Sequence, residues 1–335
     1  MNKLFIKDCK DALIAIPDES IDLIYLDPPF NTNRSWGEFD DTWNKPYASN
    51  NSDINFFLDN VKIPFSRKNY ICYLADRLEA LKRVLKKTGS IWVHVDSNES
   101  HYLKVIMDLI YGHNNYRNEI YWERTKGTKG SKTIRKFGVN TDTLLWYSKH
   151  AKDYYFNPPY TQLSEEEMDN KFNRLDDDLR SFRTDHITVN GGLQGKGVFY
   201  EYKGYYPPLG WRVKKETLKQ MDKENRLYWS KNGKPYRKYF REEYEGKRVT
   251  NYWNDINLER DKKYPTQKPE KLLERIILSC TREGDTVLDP FCGSGTTLVV
   301  AEKLNRSYNG IDVNENVIDI VTSRVKNRNK LEVYI

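Results

Sequence analysis

Apolar residues in this chain fall in short unbroken runs, and between the runs they recur every three or four positions. The runs are Leu4-Phe5-Ile6, Ile21-Asp22-Leu23-Ile24-Tyr25-Leu26, Ile91-Trp92-Val93-His94-Val95 and Thr286-Val287-Leu288. Near-continuous apolar runs, unlike alternating ones, suit strands of a parallel sheet covered on both faces. The three-to-four spacing marks helices at Ala12, Leu13, Ala15 and Ile16, and at Ile71, Leu74, Leu78, Leu81 and Leu85, the latter stopped by Gly89. Further helices open at Ser97-Asn98-Glu99 and run to Ile110, and start at Pro269 with Leu272, Leu273, Ile276 and Ile277 facing inward before Gly284. One more begins at Thr296, and a last one covers about 315–329. Strands alternating with helices predict an α/β fold around a central, mostly parallel sheet. His94, inside an apolar run, reads as a satisfied core histidine with no catalytic role.

Two stretches break this rhythm. Residues 31–68 are polar, with Trp36, Phe39, Trp43, Tyr47, Phe56 and Phe57 scattered through them. That is too long for an ordinary connection, and it reads as a mobile flap carrying a short helix near 54–61, with surface packing of the aromatics as the alternative. From 112 to 262 periodicity gives way to basic, small and aromatic residues, dividing the chain into one domain of 1–111 and 263–335 and an inserted one of 112–262. Within the insert, residues 122–136 mix Lys and Arg with small polar residues, as an arm tracking a phosphate backbone would. Gly191-Gly192, Gln194-Gly195-Lys196-Gly197 and the run from Tyr228 to Lys238 add stacking surfaces and polar readers. The acidic stretch from Ser164 to Asp178 opposes the trend and reads as a solvent-facing helix.

Charge and composition narrow the class. The 335 residues carry a formal net charge of +7, which suits a polyanionic partner without requiring one. No segment approaches the roughly 20 apolar residues of a membrane span, and the apolar run at the amino end breaks too soon for a signal peptide. Cys9, Cys72, Cys280 and Cys292 lack metal-site or disulfide spacing, so no metal is expected and a reducing cytoplasm is the expected home.

The chemistry sits at strand ends. The run from Ile21 ends in Asp27-Pro28-Pro29-Phe30, and ligands of open α/β sheets bind beyond the carboxyl ends of strands. Two prolines remove two backbone donors, so the Asp27 carboxylate and the Pro28 carbonyl form an acceptor patch beside the Phe30 ring. A planar group carrying an NH2 fits it. The second strand end is Asp289-Pro290-Phe291-Cys292-Gly293-Ser294-Gly295-Thr296-Thr297, a glycine bend feeding a helix amino end. Asp312 follows at about the spacing, roughly 20 residues, at which a nucleotide-binding unit presents an acid to a ribose.

Together these motifs resemble the DNA amino-methyltransferases, which act on adenine N6 or cytosine N4 and use S-adenosylmethionine. The motif order, catalytic first and cofactor last, resembles the circularly permuted β group of that family, and Tyr264-Pro265-Thr266-Gln267-Lys268-Pro269-Glu270 resembles its approach to the cofactor loop. The resemblance implies a Rossmann-like S-adenosylmethionine-dependent methyltransferase domain with an inserted target-recognition domain. Asp27, Pro28, Pro29 and Phe30 then take catalytic roles. Cofactor-binding roles fall to Asp8, Cys9, Asp27, Thr266, Gln267, Lys268, Asp289, Pro290, Phe291, Cys292, Gly293, Ser294, Gly295, Thr296, Thr297 and Asp312. Asp8 reads equally as a helix N-cap, and both roles can hold at once. Asn157-Pro158-Pro159-Tyr160 also matches the family's tetrapeptide, but no buried strand precedes it and a turn explains it.

The expected substrate is double-stranded DNA with the target base flipped out. An initial Asp favours adenine, with cytosine as the alternative. The resemblance also allows a restriction endonuclease and a second copy of the chain as partners, with no membrane, in a bacterial or archaeal cytoplasm near the nucleoid. A methyltransferase of RNA or small molecules and a silent DNA-binding protein are the rivals. A Rossmann dehydrogenase fits worse, because Leu298 stands where its third glycine belongs.

Overall fold

The computed structural model describes residues 2–29, 31, 35–36, 39–40, 42–127, 135, 137–189, 197–258 and 267–335. They form two compact units, one of Met1–Pro159 with Val249–Ile335 and one of Tyr160–Arg248.

The first unit is built on a nine-stranded sheet. Its strands in chain order are β1 (Asn2–Ile6), β2 (Ile21–Leu26), β3 (Leu85–Val95), β4 (Tyr116–Glu123), β5 (Thr141–Ser148), β6 (Tyr252–Trp253), β7 (Thr286–Asp289), β8 (Ser307–Asp312) and β9 (Leu331–Tyr334). They lie in the order β6-β4-β5-β3-β2-β7-β8-β1-β9, parallel throughout except for β5, which is antiparallel to both neighbours. Side chains alternate between two cores. Leu23 and Tyr25 join one with Trp92, Leu144, Trp146 and Val287, while Ile24 and Leu26 join the other with Ile91, Val93 and Leu145. The helices α1 (Cys9–Ile14), α2 (Ser52–Asp59), α3 (Phe65–Val84) and α4 (Ser100–Tyr111) cover the second face. The first is covered by α5 (Glu270–Cys280), α6 (Thr296–Lys303) and α7 (Val317–Arg324). Each fully buried Leu or Ile in these layers contributes about 1.5–3 kcal/mol, which explains the unbroken apolar runs.

The structure departs from the sequence reading in four places. Residues 112–159 belong to the main sheet, because Leu144-Leu145-Trp146-Tyr147 is itself a buried run lying between β3 and β4. The compact units therefore divide at Pro159 and Arg248, not at 112 and 262. Residues 42–68 are tied down rather than a free flap. Buried Asp76 on α3 accepts hydrogen bonds from Ser49 Oγ (2.8 Å), the Asn50 amide (2.9 Å) and Tyr47 OH (2.9 Å), and the Asn69 amide group donates to the Trp43 carbonyl (2.8 Å). Those bonds hold the Asp76 carboxyl below its usual range, against the opposing effect of burial. The last helix ends at Arg324, and Leu331–Tyr334 becomes an edge strand on β1, with Tyr334 stacked 4.9 Å from Phe5. Pro269 caps α5 from outside instead of occupying its first turn.

The second unit holds a four-stranded sheet of Arg174–Leu175, Ser181–His186, Leu227–Trp229 and Pro235–Phe240. A small core of Ile187, Trp211, Leu218, Met221 and Leu227 sits beside the helix Lys215–Lys223. Only the first part of the acidic stretch forms a helix, Glu165–Lys171, closed by a capping box between Ser164 and Glu167 and burying none of its residues, whereas Arg174–Leu175 is a strand and Asp176 is buried. Among the described residues no helix is long and apolar enough to cross a membrane, and no cluster of His, Cys, Asp and Glu could hold a metal ion.

Candidate active site

Strands β2 and β7 are neighbours, with Val287 opposite Leu23 and Leu288 opposite Ile24. Two acids 262 residues apart in sequence thereby meet at one sheet edge, Asp289 closing β7 and Asp27 just beyond β2. One pocket is lined by Tyr25, Asp27, Gln267, Lys268, Leu273, Asp289, Phe291, Cys292, Gly293, Ser294, Thr296 and Thr297. Most of the residues singled out from sequence are therefore brought together. Phe30 and Thr266 lie outside the described residues. Pro28 is buried in the turn after β2.

Asp27 is the half-buried centre. Its Oδ2 is ion-paired with Lys268 Nζ, both side chains being mostly shielded from solvent. Its Oδ1 is buried and, among the described residues, has no hydrogen-bond partner. A buried acceptor without a donor is costly to leave unmade, and its residue lines the pocket.

Asp289 is fully enclosed. Its Oδ2 accepts from Thr297 Oγ1 (2.5 Å) and its Oδ1 from the Phe291 amide (3.1 Å). Burial nevertheless pushes its carboxyl up to about 7, with Asp27 and Asp312 adding repulsion. The loop between β7 and α6 is shaped by glycine. Gly295 has φ +72°, and a Cβ there would lie 2.7 Å from Val321, so only glycine fits. Gly293 also has positive φ, but a Cβ there would meet nothing within 4 Å, so the backbone faces open space. Asp312, at the end of β8, fixes this loop by accepting from the Gly293 amide (2.8 Å), and burial raises its carboxyl too. Arg324 braces the far side, donating to the Ser294 carbonyl (2.6 Å). Pro290 is part of the same turn, and the amides of the first turn of α6 lack partners within their helix.

Asp8 and Cys9 stand at the end of β1 and do not line the pocket. Asp8 is the N-cap of α1, its Oδ1 accepting from the Lys10 amide (2.8 Å), and its Oδ2 is ion-paired with Arg77. The Arg77 guanidinium lies over Tyr73, 3.3 Å from the ring centroid. Burial pushes the Cys9 thiol up to about 12 and the Cys292 thiol well above its usual range, so neither is a ready nucleophile. Sequence reasoning missed Tyr25, Leu273, Arg77 and Arg324. Tyr25 was within reach of it, being two residues before Asp27 on the same strand face. Arg77 and Arg324 act across long sequence separations and left no local signal.

His94 is a core residue, as the sequence suggested. Its Nδ1 lies 2.8 Å from Tyr25 OH and its Nε2 3.2 Å from Asp142 Oδ2, and it is wholly buried. Asn157-Pro158-Pro159 follows no sheet strand. The Asn157 amide donates to the Ser279 carbonyl (2.8 Å), and Phe156 packs on Trp146.

A doubly covered, mostly parallel sheet with a glycine loop between β7 and a helix amino end defines an α/β protein with a nucleotide-type cofactor site. Two carboxylates and one lysine in the pocket suit a ligand that carries positive charge and amino hydrogens. Residues 21–323 match the DNA methylase family N6_N4_Mtase, and the chain belongs to it. Members of that family take their methyl group from S-adenosylmethionine. The chain is 30% identical to the type II methyltransferase M.EcaI of Enterobacter cloacae, with 87% of the chain and 61% of that protein covered. It is 26% identical to the Mod subunit of the type III restriction-modification enzyme StyLTI of Salmonella typhimurium, covering 87% of the chain and 48% of that subunit. The chain thus spans about half to three-fifths of these two relatives. The fold also resembles that of the cytosine-N4-specific PvuII DNA methyltransferase, with a TM-score of 0.51 at 16% identity over 98% of this chain and 88% of the other.

Proposed function

We propose that the protein transfers a methyl group from S-adenosylmethionine to the exocyclic amino group of a flipped-out adenine in double-stranded DNA. The observation that carries this reading is the unsatisfied, buried Oδ1 of Asp27 in a pocket shared with the glycine loop. Bound S-adenosylmethionine supplies a methyl group on a positively charged sulfur. The residues that would hold it are Asp289, Asp312, the Gly293–Gly295 loop and Gln267, and their carboxylates suit its positive charge.

Asp27 Oδ1 and the Pro28 carbonyl accept the two hydrogens of the amino group. That arrangement turns the nitrogen lone pair out of conjugation and aims it along one direction. Lys268 is ion-paired with Asp27, and the side chain orients and stabilises the amino group rather than acting as a strong base. Orientation of this kind accounts for most of the rate. Extruding the base costs about a few kcal/mol, which contacts to DNA must offset, and the second unit with the basic residues of 122–136 is assigned that role. Of this arm, residues 128–134 and 136 lie outside the described residues. Gly191, Gly192, Gln194, Gly195 and Lys196 do too.

The assignment to adenine rests on Asp as the first residue of the tetrapeptide at 27. The relatives of restriction-modification systems support a partner endonuclease for this chain as well. The test is to incubate the protein with unmethylated bacterial DNA and S-adenosylmethionine, digest the DNA to nucleosides and identify the product by mass spectrometry. N6-methyladenine is expected. N4-methylcytosine would correct the base and keep the chemistry, and DNA left unmethylated while RNA is modified would refute the substrate.

A further inference from the structure

Within the second unit three arginines beside the four-stranded sheet are neutralised locally. Arg180 pairs with Asp176 and Asp178, Arg226 with Glu224 and Glu243, and Arg241 with Glu165 and Asp169. Arg183 and Arg237 differ. Register sets Arg183 opposite Tyr239 and Asp185 opposite Arg237 on the antiparallel strands Ser181–His186 and Pro235–Phe240. Alternation along a strand puts all four side chains on one face. Both guanidinium groups rest on the same ring, Arg183 at 4.7 Å and Arg237 at 4.4 Å from the Tyr239 centroid. Both Nε atoms are buried, and among the described residues neither has a hydrogen-bond partner. Nor does either side chain form an ion pair there. Asp185, the obvious partner by register, instead accepts the His186 amide at 2.8 Å.

Two like charges held side by side on a sheet repel each other, and stacking on an aromatic ring does not neutralise them. A fold keeps such a pair at a cost unless an anion completes it. Stacking also fixes each planar fork, so little side-chain freedom is lost when an oxyanion arrives. A phosphodiester offers two anionic oxygens to such forks. We propose that Arg183 and Arg237, held on Tyr239, form a clamp for a backbone phosphate of the DNA substrate. The proposal rests on the DNA-methylating reading above and adds which residues of the second unit hold the duplex.

The test uses the full chain and its Arg183→Gln, Arg237→Gln and doubly substituted variants, with the corresponding Lys variants to keep charge and lose the fork. Affinity for sheared, unmethylated bacterial DNA is measured across a salt series by fluorescence anisotropy, beside thermal melting, S-adenosylmethionine binding and mapping of the methylated sequence. Each lost phosphate contact should flatten the dependence of log K on log salt by about 0.9. The double Gln variant should bind DNA at least tenfold more weakly at low salt, while cofactor binding, melting and the methylated sequence stay unchanged and the Lys variants keep the slope. A double Gln variant with wild-type affinity and slope overturns the clamp. So does a wild-type slope with an altered methylated sequence, which would make the arginines base readers. Both outcomes leave DNA methylation standing, whereas a wild-type protein that methylates no DNA overturns the underlying reading alone.

Discussion

Replacing Asp289 by Asn tests whether the cofactor pocket is strained when empty. Burial, aided by Asp27 and Asp312, lifts the Asp289 carboxyl from 3.8 to about 7, so the folded state holds this proton more tightly than the unfolded chain does. A raised carboxyl contributes stability that is full below the unfolded value near 4 and is lost as pH climbs to about 7. At 1.36 kcal/mol per unit, ionising Asp289 in the folded protein costs about 4 kcal/mol by pH 8. Asn removes that cost but cannot accept from both Thr297 and the Phe291 amide as the carboxylate does, forfeiting about 1–2 kcal/mol. The variant should therefore be about 2 kcal/mol more stable than wild type at pH 8 and slightly less stable at pH 4. Denaturation at a series of pH values reads this, since titrating groups remote from Asp289 cancel between the two proteins. The same variant should bind S-adenosylmethionine at least tenfold more weakly, because the ligand loses a counter-charge. A stability difference that does not change between pH 4 and 8 would refute the reasoning.

Asp27→Ala should abolish methyl transfer while leaving cofactor affinity within a few-fold, as calorimetry and product analysis would show; equal loss of both would remove its orienting role. Asp8→Ala removes the α1 cap and leaves the buried Arg77 guanidinium unpaired, so urea unfolding should show a loss of about 2–4 kcal/mol. Adding Arg77→Met to that variant should restore part of the loss, and strict additivity of the two changes would contradict the pairing.

The pocket was legible because its chemistry is local. A strand ending in Asp with a Pro-Pro break, and another ending in Asp with a glycine bend, announce a sheet edge wherever they occur. The neighbourhood of β2 and β7 was less so, since nothing within either run names its partner. Strands β4 and β5 were hidden because Leu144 to Tyr147 lie close to a basic segment that dominates the composition. The packing of 42–68 depends on one buried carboxylate, Asp76, whose partners at 47, 49 and 50 lie a helix away in sequence. Periodicity sees apolar faces and is blind to such polar hubs, and it is equally blind to Arg77 reaching back to Asp8.

The pairing of β2 with β7 also governs how the protein comes into being. One edge of β2 can be met early by β3, which follows directly after α2 and α3. Its other edge waits for residues 286–289. At translation rates on the order of 10 residues per second, that edge stays open for roughly 25 s. During this interval the nascent chain offers an apolar, unpaired strand, the kind of surface that aggregates or recruits chaperones. The same delay means that Asp27 and Asp289 cannot meet in an unfinished chain. A truncated polypeptide ending before β7 lacks half the pocket, so partial products of synthesis cannot form the site, and its assembly reports completion of the sheet.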